Sequence, residues 1–92
     1  MYRILPYTLN RAKQLGVVVI PSDRKGKKID VYSPTGRYIC SVGAIGFNDY
    51  PTYLKKYGKK IADERRRLYK IRHDSDRHVR GSAGWYADKL LW

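Results

Sequence analysis

The chain has one cysteine, Cys40, so it can form no disulfide within itself and no cysteine-based zinc site. A lone thiol of this kind fits a reducing compartment, where it serves as a small apolar group. Long apolar runs are also missing. No stretch approaches the roughly 20 residues needed to cross a bilayer, and Met1–Pro6 turns polar too soon for a signal peptide. No membrane partner is therefore expected. Gly43-Ala44-Ile45-Gly46 is too short for a phosphate-cradling loop and lacks the Lys-Ser/Thr that would follow one. Those glycines are read instead as allowing close backbone approach where a sheet meets helices.

Catalytic constellations are equally scarce. His73 and His78 stand five residues apart, which is not the i, i+4 spacing that puts two imidazoles on one helix face. Asp74 and Asp76 lie between them, so a metal-dependent nuclease is the remote reading and a polar surface turn the ordinary one. No catalytic residue, metal ligand or cofactor is assigned, and a non-enzymatic role is expected.

Acidic residues are the last shortage, eight against twenty Lys and Arg, giving a net charge of +12 and a pI near 10.0. A field of that size attracts polyanions, and the attraction weakens with salt. The charge is clustered. Lys59 to Arg80 contains nine cations and four acids, among them Arg65, Arg66, Arg67, Lys70, Arg72, Arg77 and Arg80. Arg24, Lys25, Lys27 and Lys28 form a second group around Gly26. Guanidinium groups present a planar fork suited to phosphate, so these eleven residues are the candidate nucleic-acid contacts.

The pattern along the chain predicts an α+β domain spanning residues 1–92. A short helix covers Thr8–Leu15, entered at Thr8 or Tyr7 and ended by Gly16. Val17–Ile20 is β-branched throughout and stops at Pro21, which predicts a strand buried on both faces. Ser22–Lys28 is a loop. Ile29–Tyr32 and Arg37–Val42 are two further strands joined by the turn Ser33-Pro34-Thr35-Gly36, completing a three-stranded antiparallel meander within residues 1–46.

Residues 47–92 form a basic helical half expected to pack on the sheet. Asn48-Asp49-Tyr50-Pro51 is a helix start, and Gly58 is read as separating one short helix from a second that runs from Lys59 to about His73. Leu54, Tyr57, Ile61, Leu68 and Ile71 keep one helical face. If that face meets the core, Arg66, Lys70 and Arg77 project away from it with Lys59, while Arg65 and Arg72 lie at the margin. Such a stripe would follow a phosphate backbone without choosing sequence. The plainer alternative is a solvated face partly balanced by Asp63 and Glu64.

Tyrosine is plentiful, with nine residues. Tyr50, Tyr53 and Tyr57 are expected to pack together, and core packing is the default role for the rest. After a break at Asp74-Ser75-Asp76, Ser82 caps a last helix over Ala83–Leu91. Trp85 and Trp92 within this tail are candidate docking residues, for the core or for a partner.

Three segments carry a resemblance: Phe47 to Leu54, Arg65 to His73, and Gly81 to Trp92. In this order and spacing they resemble a group of small basic proteins encoded by large nucleocytoplasmic DNA viruses. The likeness covers residues 45–92 well and the strands loosely. It implies a viral setting, a host-cell interior and association with the virion, and it supplies no activity or catalytic residue. The expected partner is nucleic acid, DNA ahead of RNA. A minor capsid or structural role on an acidic virion protein is the alternative.

Overall fold

A computed structural model describes residues 1–92. Helix α1 (Pro6–Leu15) starts earlier than Thr8, because Pro6 at the first position has the backbone angle a helix needs and no N–H to leave unsatisfied. Three strands follow: β1 (Val18–Pro21), β2 (Lys27–Tyr32) and β3 (Tyr38–Ala44). They pair antiparallel in the order β1-β2-β3, with Val19 opposite Val31 and Ile29 opposite Val42. The register slips once between Val31 and Tyr32, where Tyr32 faces Tyr38. The meander read from the sequence is therefore present.

The strand buried on both faces is β2, not β1. Lys28, Ile29, Asp30 and Val31 are buried in succession, and successive residues point to opposite sides of a pleat. Strand β1 lies at the edge, with Val18 and Ile20 exposed and only Val19 buried. Four β-branched residues gave the same signal that a central strand would give. Pro21 belongs to β1, a position that an edge strand tolerates because part of its backbone needs no ladder partner.

The connection 45–49 leads to α2 (Tyr50–Tyr57), which Asp49 caps by accepting the Thr52 N–H at 3.1 Å. Gly58 does separate α2 from α3 (Lys59–Arg72), at φ 90° and ψ 173°, a combination that costs a side chain heavily. Helix α4 (Ala83–Leu91) begins at Ser82, whose hydroxyl accepts the Trp85 N–H at 3.2 Å.

One core joins α1, the sheet and α4 through Ala12, Val19, Ile29, Val31, Val42, Leu90 and Leu91. Thr8 ties α1 to the end of α4 by donating to the Leu90 carbonyl at 2.9 Å. Gly43 is required where β3 meets α4. A Cβ there would lie 2.9 Å from Leu91 Cδ1 and 3.0 Å from Lys28 Cβ, the close approach expected for this segment. Cys40 is half-buried in β3, where burial and then the nearby Asp30 carboxylate push its thiol pKa up.

Candidate functional site

Helix α3 is rotated relative to the sequence expectation. Its inward stripe is Ala62, Arg66, Tyr69 and His73, a 4-3-4 spacing of buried and half-buried residues. Leu54, Tyr57, Ile61, Leu68 and Ile71 are all exposed, Ile71 at 62%. Counting aliphatic side chains located the wrong face. The helix packs by aromatic and amphipathic groups, and the stems of Arg66 and Lys70 cover apolar surface as an aliphatic chain would.

The rotation decides where each cation points. Arg66, Lys70 and Arg77 do not project away from the body of the protein. The Arg66 guanidinium carbon lies 4.0 Å from the centroid of the buried Tyr50 ring, and Arg66 also pairs with Asp63 at 3.4 Å. Tyr50 donates to Asp63 at 2.8 Å, and burial followed by that carboxylate raises its pKa. Its ring packs at 5.3 Å from Tyr7, so it leaves the cluster expected with Tyr53 and Tyr57, which meet each other at 6.0 Å.

Lys70 Nζ donates to the buried Asp88 carboxylate at 2.6 Å. Burial lowers the Lys70 pKa, and the attraction of Asp88 only partly opposes that. Arg77 folds back to donate to the Lys70 carbonyl at 3.2 Å, and it lies 4.0 Å from Asp88. Farther round the helix, Arg67 pairs with Glu64 at 2.6 Å and Lys59 with Asp63 at 2.6 Å. Neighbouring-turn pairing thus takes up much of the predicted stripe.

The second cluster divides in the same way. Lys28, a candidate contact from its sequence, is buried and pairs with the buried Asp49 at 2.9 Å. Burial alone would raise the Asp49 pKa. Hydrogen bonds from Thr52, Tyr2 and Lys28 outweigh it and hold the carboxyl below its ordinary value. Arg24 is exposed but lies over Tyr38 at 4.6 Å and 3.9 Å from Asp30. Lys25 and Lys27 are exposed and form no ion pair.

Three of the candidate cations that remain free converge. Lys27, Arg65 and Arg72 pair with no carboxylate, and all three line a cleft of about 590 Å³ between the 45–49 connection and α3. The spacing 65, 68, 69, 72 puts Arg65, Leu68, Tyr69 and Arg72 on one α3 face toward it. One wall is aromatic. Trp92 stacks on Tyr69 at 4.3 Å with planes 7° apart, and His73 stacks on Tyr69 at 4.3 Å. Tyr53 meets Trp92 at 6.3 Å and carries Arg65 over its ring at 5.6 Å. Phe47 stands at the rim, 74% exposed and without a ring partner. No Asp or Glu lines the cleft.

Trp92 is therefore held within the fold, half-buried against the core, while Trp85 packs edge-on to Tyr86 at 5.0 Å. Arg80 is exposed and unpaired, well apart in sequence from the cleft residues of α3. His73 and Asp76 approach at 3.5 Å, and His78 and Asp74 at 3.1 Å, as two separate pairs; no group of three or more possible metal ligands forms. Phe47, Asn48, Tyr53 and Tyr69 were not singled out as contact residues from sequence, because a ring's role depends on which helix face it occupies. No protein-family model, curated protein or solved structure matches this chain.

Proposed function

We propose that this protein is a non-enzymatic nucleic-acid-binding module that holds phosphates by charge. The observation that carries the reading is the grouping of Lys27, Arg65 and Arg72, free of carboxylate partners, around a cleft without an acidic side chain. Lys25 and Arg80, with the exposed lysines of α2 and α3, extend the positive field. Arg66 over Tyr50, with Lys70 and Arg77 beside Asp88, holds the helix in place, Lys28 holds the 45–49 connection, and Arg67 pairs only within its own helix. The resemblance of residues 45–92 to small basic proteins of large DNA viruses makes a viral genome the natural polyanion and the virion the natural place.

Binding to a labelled oligonucleotide, followed by anisotropy between 50 and 200 mM salt, tests this reading. Affinity should fall steeply across that range, by about tenfold or more for several phosphate contacts. Absence of binding at the lowest salt contradicts it.

A second reading has its own support. The exposed Leu54, Tyr57, Ile61, Leu68 and Ile71 stand among cations on α2 and α3, a surface suited to an acidic and partly apolar protein. In that case the protein is a minor structural component docking on a larger virion protein. Capture of one acidic virion protein after nuclease treatment favours this alternative.

A further inference from the structure

The proposed nucleic-acid reading can be taken to a ligand class, and the following rests on it. We propose that the cleft seats one unpaired nucleobase together with its adjacent phosphate, so that the protein prefers single-stranded nucleic acid to duplex.

The volume of about 590 Å³ falls within the range of about 300–1,000 Å³ occupied by small-ligand sites. Its chemistry is divided as a nucleotide is divided. Phe47 offers an open ring face at the rim, and the Tyr69–Trp92 stack forms an aromatic wall behind it. Lys27, Arg65 and Arg72 supply positive charge for the phosphate. Asn48 lines the same space and makes no side-chain hydrogen bond within the protein. Its amide offers both donor and acceptor to a base edge.

A duplex presents phosphates to such a surface but keeps its bases stacked and paired, out of reach of a concave aromatic site. An unpaired base can leave the stack and lie against a ring, and stacking of this kind tolerates any base. The absence of acids matters here, since one carboxylate beside the phosphate would cancel much of the attraction of a neighbouring cation. Arg65 already lies over Tyr53, so a base stacked nearby would meet a planar guanidinium as well as rings.

The test uses the full chain at one low salt concentration with three probes: an oligothymidylate, a duplex of the same length, and thymidine monophosphate. The oligothymidylate should bind on the order of tenfold more tightly than the duplex and should quench tryptophan fluorescence. Phe47→Ala, at an exposed position outside the core, should remove that advantage and leave duplex binding unchanged. Equal affinity for strand and duplex, with Phe47→Ala indistinguishable from the parent, overturns the inference while the electrostatic reading survives. Failure to bind any of the three overturns both. Monophosphate binding as tight as the oligonucleotide would show a free nucleotide as the ligand and overturn the assignment to a strand.

Discussion

The two flanks of α3 carry the same residue type and use it in opposite ways. On one side Arg66 and Lys70, with Arg77 beyond the helix, are drawn to Tyr50, Asp63 and Asp88. On the other, Arg65 and Arg72 face a cleft with no carboxylate to meet them. Cation density is therefore a poor measure of binding surface. The location of the few acids decides which cations are structural, because a buried carboxylate must be paired and takes the nearest ammonium or guanidinium. Seven of the eight acids in the chain lie within 4.0 Å of a cation or a histidine, and none of them lines the cleft.

The largest effect that would sharpen this contrast belongs to Lys28. Lys28→Ala leaves the buried Asp49 without its cation, and loss of one partner from a buried pair costs about 3–5 kcal/mol. Thermal unfolding should move down by more than ~10 °C. A variant as stable as the parent would mean that Lys28 is free for a ligand after all.

Lys70→Ala comes next. Arg77 and Lys89 each lie 4.0 Å from Asp88 and partly replace the lost ammonium, so a loss of about 2 kcal/mol is expected in urea titration. Arg72→Ala, across the helix, should stay within about 0.5 kcal/mol of the parent. If Arg72→Ala is the more damaging of the two to folding, the division between flanks is wrong.

The pH dependence of stability follows from the same packing. Burial, and then the Asp88 carboxylate, push the Tyr69 hydroxyl up to about 12, and Tyr2 is raised in the same way by burial and Asp49. An unfolded tyrosine ionises near 10, so stability is full below about pH 10 and falls as pH rises toward 12. On the acid side, Asp49 and Asp30 are held below their ordinary values despite burial. Their contribution is present above about pH 4 and lost as pH falls through the depressed values. Urea midpoints measured from pH 2 to 11.5 check both limbs, and Tyr69→Phe should flatten the alkaline one.

The smallest effect belongs to Arg67, whose pair with Glu64 is exposed on both sides. Arg67→Ala should shift neither the unfolding midpoint nor nucleic-acid affinity appreciably, since exposed pairs contribute little. A clear loss of affinity would extend the binding surface round the helix.

Most of the architecture was legible in the sequence because local rules carry it. Pro34 and Gly36 mark the hairpin turn, Asp49 and Ser82 cap their helices, and Gly58 interrupts one. The facing of α3 was not legible. Ile61, Leu68 and Ile71 satisfy a helical period as well as Ala62, Arg66, Tyr69 and His73 do, and a count of aliphatic residues favours the first set. The second wins because Tyr69 stacks on Trp92 and Arg66 covers Tyr50, contacts between residues 16 to 23 positions apart. The candidate list accordingly held the cleft-lining cations Lys27, Arg65 and Arg72, mixed with ones paired inside the protein such as Lys28 and Lys70.

The most direct measurement is the salt dependence of duplex binding for the parent and the Arg65→Ala/Arg72→Ala double variant. Each lost phosphate contact should reduce the slope of log affinity against log salt by about 0.9, so the double variant should be shallower by about 1.8. The Arg66→Ala/Arg67→Ala pair should keep the parental slope. A slope unchanged by loss of Arg65 and Arg72, or equally reduced in both double variants, would contradict the assignment of binding to one flank of the helix.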